Sequence, residues 1–281
     1  MNIIESVKQG MEEMTRTERT VASYFTEHPT DFAFYSLDKV ARAVGTSTTT
    51  IIRFCRTAGF SGYKDLQIHL QEELRYQSSL PGRFQQSASE SSDDSLVSRI
   101  VNQSIYNINA TFSSLSEDLL NETVDLLEHG KRIFVFGMRE SLALVHYTYT
   151  RLLTVRSHVQ ILDAGYNGII ESTLDLSNQD VCIFFLFHRY TDQSLYILPL
   201  LKEQGVRTIL ITSAPYDTVE RYADILIPCR VKTQGIKNSS VAPLCLADYF
   251  CNALAMRDSD SVLPRLQKIE ALLQHNKTLG S

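Results

Sequence analysis

Apolar residues recur every three or four positions through the first quarter of the chain, which is the spacing of helices that bury one face. The pattern predicts an all-α domain over residues 1–76. The predicted helices are residues 3–14, Thr17–His28 with Thr17 as the cap and Pro29 just beyond the end, Ser36–Val44, Ser47–Ala58 and Tyr63–Tyr76.

The pattern changes after residue 95, where short apolar runs rich in β-branched and aromatic residues alternate with helical stretches. The predicted strands are 132–137, 158–163, 180–187, 206–213 and 223–229. The predicted helices are Leu96–His129, Ser141–Thr154, about 168–178, about 192–204, Val241–Met256 and Val262–His275. Short buried strands separated by helices are typical of a parallel sheet covered on both faces. Residues 96–281 are therefore predicted to form an α/β three-layer domain with a five-stranded parallel sheet.

A composition break separates the two patterns. Residues 77–95, QSSLPGRFQQSASESSDDS, are rich in serine, poor in aliphatic residues and contain a Pro-Gly pair. Such a stretch is typical of a linker. With 281 residues and 43% hydrophobic content, the chain is long enough for two cores.

Residues 36–60 form a helix, a tight turn and a second helix. Gly45 can adopt the left-handed conformation that ends the first helix, and the hydroxyl of Ser47 can cap the second. The second helix carries small polar residues at its start and arginines further along, which suits entry into a DNA major groove. A helical hairpin with a solvated basic face fits the same spacing. The candidate DNA-binding residues are Ser47, Thr48, Thr49, Thr50, Arg53, Arg56 and Lys64.

Local charge favours DNA over the solvated hairpin. Between Ser36 and Lys64 five basic residues stand against one acid, Asp38, a local net of +4 in a chain whose total is −5. Binding to nucleic acid needs a local positive surface rather than a basic protein. The acidic total argues against a protein that coats nucleic acid along its whole surface.

Polar side chains come directly after several of the predicted strands. In an open parallel sheet, ligands bind beyond the carboxyl ends of the strands, which is where these side chains would lie. Arginine forks and helix N-termini there favour an anion. The alternative is that Arg139 and Arg189 are surface residues paired with Glu140 and Asp192. The candidate ligand-binding residues are Gly137, Arg139, Ser141, His188, Arg189, Tyr190, Thr191 and Ser213.

The sequence resembles the RpiR-type bacterial transcriptional regulators over nearly its whole length. TRTERTVASYFTEHPTDF and LDKVARAVGTSTTTIIRFCRTAGFSGYKDLQ look like the helix-turn-helix domain of that family, and RFCRTAGFSGY is the most specific part. Residues from about 130 to 256 look like a sugar-isomerase (SIS) domain, a flavodoxin-like fold. The resemblance implies a domain that senses a metabolite, often a phosphosugar, in a dimer or tetramer.

Two loops depart from that resemblance. The phosphosugar-binding version of the fold has Ser-x-Ser-Gly-x-Thr after the third strand, and of these residues only Thr191 survives here. Arg189 replaces the glycine of that loop, and Arg139 replaces the second glycine of the usual Gly-x-Gly-x-Ser in the first loop. A sugar acid or another carboxylate is thus at least as plausible a ligand as a phosphosugar.

Catalytic features are scarce. His188 and Glu140 are the only acid or base candidates near the predicted cleft, and the remaining histidines have no metal-ligand spacing. We find no zinc motif, no Walker-type loop and no nucleophile elbow, so neither a metal nor a cofactor is expected. The five scattered cysteines are expected to be buried free thiols.

Two hypotheses of different classes follow. The first is a DNA-binding regulator, not an enzyme, whose SIS domain senses an anionic metabolite and changes operator affinity. The second is a sugar-phosphate isomerase with a helical extension. The basic, threonine-rich helix favours the first. The expected partners are double-stranded operator DNA, a small anionic metabolite and a second copy or more of the chain. With no secretory signal and no apolar run longer than VCIFFLF, a cytoplasmic location without membrane association is expected.

Overall fold

The computed structural model of the chain describes residues 3–89, 95–162, 169–213, 218–233 and 235–279. The chain divides into two compact units, Met1–Asp93 with Gly235–Lys237 and Asp94–Gln234 with Asn238–Ser281. None of the described helices is both long and apolar enough to cross a bilayer.

The first unit is helical, as predicted. Its helices are α1 (Ile3–Gly10), α2 (Arg16–Glu27), α3 (Pro29–Phe34), α4 (Leu37–Val44), α5 (Thr48–Thr57), α6 (Tyr63–Ser78) and α7 (Leu80–Ser89).

Of two predictions at the start of this unit, one was wrong and one was confirmed. Thr15 rather than Thr17 caps α2, because Thr15 and Glu18 form a reciprocal capping box. Pro29 lies just beyond the end of α2, as predicted, and it also opens α3, a short helix that was not predicted, where its missing N–H leaves no hydrogen bond unmade.

Three phenylalanines hold the helices of the first unit together. The rings of Phe25 on α2, Phe32 on α3 and Phe54 on α5 are fully buried, with centroids 5.0 to 6.0 Å apart. The Tyr63 hydroxyl donates to the carbonyl of Tyr35 over 2.9 Å and so ties α6 to the end of α3. Because Phe54 is anchored here, the opposite face of α5 is the one left outside.

The segment predicted as a linker contains helical structure. Helix α6 continues to Ser78, and α7 occupies Leu80–Ser89. Residues 90–94 of the segment lie outside the described part of the chain. Its serine-rich composition carries no helical periodicity, which is why α7 was not predicted.

The second unit is a five-stranded, wholly parallel sheet with strand order β2-β1-β3-β4-β5, which confirms the predicted α/β class. The strands are β1 (Ile133–Gly137), β2 (Val159–Ile161), β3 (Val181–Leu186), β4 (Arg207–Thr212) and β5 (Ile225–Pro228). The helices are α8 (Leu96–Phe112), α9 (Glu117–His129), α10 (Ser141–Val155), α11 (Ile169–Thr173), α12 (Asp192–Glu203), α13 (Val241–Arg257) and α14 (Ser259–Leu279).

Helices cover both faces of this sheet. Alternate residues of β3 belong to two separate apolar cores, with Ile183 and Phe185 in one and Cys182 and Phe184 in the other. A strand buried on both sides needs apolar residues without alternation, which explains the continuous run that predicted it.

The predicted helix Leu96–His129 is two helices. Helix α8 ends at Phe112, and Ser116 opens α9 by accepting a hydrogen bond from the backbone N–H of Leu119 over 3.2 Å. Serines compete locally for backbone hydrogen bonds, so the run Ser113-Ser114-Leu115-Ser116 favours a break that apolar periodicity alone does not indicate.

Candidate functional site

Helices α4 and α5 form the predicted helix-turn-helix. Gly45 has a left-handed backbone with φ of 72°, and its N–H reaches the carbonyls of Ala41 and Arg42, so it ends α4 as expected. Ser47 caps α5 by accepting from the N–H of Thr50 over 3.2 Å. The turn between the helices is therefore set by one glycine and one serine.

The candidate DNA-binding side chains differ in exposure and in their contacts. Ser47, Thr49, Arg53, Arg56 and Lys64 are exposed, whereas Thr48 and Thr50 are half-buried. The hydroxyls of Ser47 and Thr50 lie 2.9 Å apart and bond within the cap. Lys64 donates to Gln67, and Arg53 lies near the buried carboxylate of Glu18. Thr49 and Arg56 are exposed candidates on α5 that take part neither in the cap nor in the contact with Glu18.

A cleft of about 560 Å³, part of it open to solvent, lies at the carboxyl edge of the sheet in the second unit. Its apolar floor is formed by Phe185 and Leu186 at the end of β3 and by Leu144 of α10, and its walls include the turns that follow β1 and β3. Six of the eight candidate ligand residues line it: Arg139, Ser141, His188, Arg189, Tyr190 and Thr191.

Gly137 and Ser213 are not among the described residues that line the cleft. Gly137 ends β1 beneath α10, where an added Cβ would come within 2.8 Å of the Ser141 Cβ and 3.1 Å of Val145 Cγ2. Its role in the structure is therefore to let α10 pack closely on β1. Ser213 follows β4 and is half-buried.

The first wall of the cleft is the turn from β1 into α10. Arg139 has φ of 56°, a left-handed conformation that is uncommon for a residue other than glycine, and its side chain is exposed. Ser141 begins α10 and is only 8% exposed. No side chain among the described residues caps this helix. The N–H groups of its first three residues donate to the carbonyls of Met138, Arg139 and Glu140, so the start of α10 adds the positive end of its dipole beside the cleft.

The second wall is the loop from β3 into α12. Thr191 caps α12 by accepting from the N–H of Ser194 over 3.1 Å, so its hydroxyl serves the helix first. The rings of His188 and Tyr190 lie 4.6 Å apart. Burial raises the pKa of the Tyr190 hydroxyl above its usual value, so it remains protonated and can donate or accept a hydrogen bond at neutral pH.

A third wall was not predicted. Asn238, Ser239 and Ser240, just before α13, also line the cleft. Asn238 donates to the carbonyl of His188 over 3.0 Å and so joins this segment to the second wall. The run Asn-Ser-Ser before an apolar helix is an N-cap signal in the sequence, but nothing local to it indicates that it returns to the edge of the sheet.

Neither cleft arginine forms the surface ion pair that was the alternative explanation for it. The ion pairs among the described residues do not include Arg139 with Glu140 or Arg189 with Asp192. Both arginines are exposed, and they line a cleft that is also lined by residues at the starts of α10, α12 and α13. Such an arrangement favours a negatively charged occupant.

Groups suited to metal binding are missing from the part of the chain that the structure describes, since no three His, Cys, Asp or Glu side chains are placed to hold an ion. Four of the five cysteines are buried and Cys245 is partly so, all as free thiols.

In a comparison with known proteins, each unit matches a family model. A model of the helix-turn-helix domain of the rpiR family matches residues 1–77, and a model of the SIS domain matches residues 126–253.

Relatives match along nearly the whole chain. An uncharacterized HTH-type transcriptional regulator of Haemophilus influenzae is 23% identical over 95% of this chain and 94% of its own length. The HTH-type transcriptional regulator HexR of Pseudomonas aeruginosa is 23% identical over 97% of this chain and 95% of its own. The solved structure of the Vibrio vulnificus NanR protein, complexed with ManNAc-6P, shares the fold at 17% identity with a TM-score of 0.61, covering 97% of this chain and 98% of that one.

Proposed function

Because this chain belongs to the RpiR-type transcriptional regulators, with a helix-turn-helix domain followed by a SIS domain, we propose that one unit binds DNA and the other binds a metabolite. Helix α5 binds an operator in double-stranded DNA, and the cleft at the sheet edge binds an anionic metabolite. Occupation of the cleft changes the affinity of the protein for its operator.

The observation that carries the ligand proposal is the convergence in one cleft of Arg139, Arg189 and the starts of α10, α12 and α13. Guanidinium groups bind carboxylates and phosphates through paired hydrogen bonds, and helix N-termini add a positive field. The floor, which includes Leu144, Phe185 and Leu186, supplies an apolar surface for the rest of a small molecule. A sugar phosphate, a sugar acid or another carboxylate fits this chemistry.

The loop after β3 widens the ligand class beyond sugar phosphates. Leu186 is 3% exposed and Phe187 is half-buried, where the phosphosugar-binding version of the fold has serine at the first position of the loop. Anion binding then depends on the two arginines and on Ser141. The NanR structure is complexed with ManNAc-6P, and a sugar phosphate therefore stays among the candidates.

The DNA proposal rests on the exposed face of α5. Phe54 and Ile51 are fully buried, which leaves Thr49, Arg53 and Arg56 outside on a short helix with a capped start. We propose that α5 enters the major groove, and that two copies of the chain bind a roughly palindromic operator.

Operator binding is tested by selecting duplexes from a random-sequence library with the full-length protein. Thr49→Ala should relax the preference among selected sequences, because a base contact carries sequence information. Arg56→Ala should weaken binding to all duplexes and lower the slope of log Kd against log salt by roughly one. Unchanged affinity and selectivity in both variants would remove α5 from the interface.

Ligand binding is tested by a thermal-shift screen of sugar phosphates, sugar acids and keto acids on the full-length chain. A ligand at about a hundredfold excess over its Kd stabilises the folded state by about 2.7 kcal/mol. The expected result is stabilisation by one class of anion and none by its neutral analogue. Stabilisation only by neutral sugars would contradict an anion site.

A further inference from the structure

Glu18 is a buried carboxylate that serves two helices of the first unit. The residue is 5% exposed. One oxygen, Oε2, accepts from the backbone N–H of Thr15 over 3.0 Å and from its hydroxyl over 2.6 Å, which completes the cap of α2. The other oxygen, Oε1, faces α5. It accepts from the hydroxyl of Thr57 over 3.1 Å and lies 3.8 Å from Nε of Arg53.

The cap of α2 does not by itself require a negative charge. Glutamine completes a capping box as well as glutamate does, because one side-chain oxygen is enough. A buried charge is costly unless it is paired and hydrogen-bonded. The hydrogen bonds from Thr15, first of all that of its hydroxyl, hold the pKa of the Glu18 carboxyl below its usual value, so the charge is present at neutral pH. The cationic group near Oε1 is the guanidinium of Arg53 on α5.

Arg53 lies near the Glu18 carboxylate through Nε, so most of its N–H donors stay available for another acceptor. Its side chain is 58% exposed, and Nε is the guanidinium atom near Glu18. A guanidinium has five N–H donors, of which four are on the two Nη atoms. An arginine that is oriented at Nε therefore keeps its outer donors for another acceptor. Thr57, four residues further along α5, reaches the same carboxylate oxygen and anchors the end of the helix.

We propose that Glu18 is a positioning residue for DNA recognition. Its Oε1 holds Arg53 in one orientation and fixes the last turn of α5 against the start of α2, so that Arg53 meets DNA in a single geometry. This inference rests on the proposed function of α5. Without the charge, Arg53 keeps its own positive charge but is free to contact any phosphate, and discrimination between sequences falls.

Glu18→Gln tests the proposal on the full-length protein, because it keeps an oxygen for the α2 cap and removes only the charge. The probes are a duplex selected from a random library by the wild-type protein and a scrambled duplex of the same length. The matched control is Glu27→Gln, an exposed residue on the same helix with the same change in net charge. We expect Glu18→Gln to lower the affinity ratio of selected to scrambled duplex roughly tenfold, and Glu27→Gln to leave it within about twofold.

A double-mutant cycle separates positioning from a general effect on folding. Glu18→Gln, Arg53→Gln and the double variant are compared with wild type on both duplexes. If Glu18 acts through Arg53, the double variant discriminates no worse than Arg53→Gln alone. A loss of the same size with and without Arg53 would overturn the proposal, as would a ratio in Glu18→Gln equal to that of Glu27→Gln.

A second pair of variants decides the matter if Glu18→Gln fails to fold, which its thermal melt reports. Thr57→Val removes the hydroxyl that shares Oε1, whereas Thr57→Ser retains it. We expect the ratio to fall in Thr57→Val and to hold in Thr57→Ser, and equal ratios in the two would reject the proposal. A wild-type protein that selects no duplex would instead refute the proposed function of α5.

Discussion

Charged residues of two kinds bear on the proposal for the second unit, those paired inside the fold and those exposed at the cleft. Asp180 is fully buried, and its carboxylate accepts two hydrogen bonds from Arg132, over 2.8 and 2.7 Å, and two from Ser177. Arg139 and Arg189 are exposed and form no ion pair with their acidic neighbours Glu140 and Asp192. The first kind stabilises the fold, and the second is available to a ligand.

Asp180 should make the stability of the second unit sensitive to acid. Burial alone would raise its pKa, but the hydrogen bonds from Arg132 and Ser177 outweigh burial and leave the pKa lowered. A carboxyl whose pKa is lowered in the folded state stabilises above its unfolded pKa, about 3.9, and loses that contribution as pH falls through the folded pKa. Asp180→Asn should therefore lower the melting temperature of this unit at neutral pH and flatten its decline below about pH 4.

The control for this prediction is Glu122→Gln, an exposed carboxyl on α9. It should melt as wild type does from pH 7 to pH 3. An acid dependence in Asp180→Asn equal to that of wild type would mean that other carboxyls carry the effect.

The shape of the cleft depends on close packing between elements as well as on the side chains that line it. The end of β1 approaches the start of α10 so closely that only glycine fits at Gly137. Gly137→Ala should push α10 away from the sheet and cost about 1–3 kcal/mol, the usual range for an overpacked core. Because α10 carries Ser141 into the cleft, ligand affinity should fall in the same variant.

Gly62→Ala is the comparison for that change. Its added Cβ would meet no described atom within 4 Å, and no left-handed φ makes a side chain costly there. Thermal melts of the full chain should shift in Gly137→Ala and stay close to wild type in Gly62→Ala. Equal melting temperatures would show that α10 yields without cost.

At the level of elements, the positions of the strands could be predicted from the sequence more closely than the ends of the helices that connect them. Strands β1 and β3 are buried on both faces and read as unbroken apolar runs, so their positions were predicted within a residue or two. Helix ends were predicted less well, since Thr15 and Thr17 differ only in whether a glutamate follows three residues later. Asn238 reaches the cleft through tertiary folding, which no local pattern around it contains.

At the level of the whole molecule, helix α8 has an apolar surface that the other described residues of the second unit leave exposed. Helix α8 exposes six large apolar side chains, from 47% to 70%, and contains a single charged residue, Arg99. The sequence segments Leu96–His129 and Val241–Met256 carry more apolar surface than one sheet layer requires, and we predict that part of it is buried between copies of the chain in a two-fold symmetric dimer or a tetramer. An apolar helix face with a single charged residue can pair with its own copy across a two-fold axis at little electrostatic cost.

Val97→Glu tests this surface, since Val97 is its most exposed member at 70%. The variant should shift full-length protein at micromolar concentration toward monomer in light scattering. Leu174→Glu, 68% exposed outside α8, should retain the wild-type mass. A monomeric wild type, or an unchanged mass in Val97→Glu, would contradict an interface on α8.

The response to metabolite tests the central claim most directly. The anion found by the thermal-shift screen is titrated into the complex of full-length protein with its selected duplex, for wild type, Arg139→Ala, Arg189→Ala and the exposed control Arg221→Ala. Loss of one guanidinium contact should weaken the ligand by about 1.5–3 kcal/mol, or ten- to a hundredfold. Duplex binding without ligand should persist in all four, because α5 lies in the other unit. We expect the ligand response to weaken in Arg139→Ala and Arg189→Ala and to hold in Arg221→Ala. An identical response in all four proteins would place the ligand elsewhere and contradict the account.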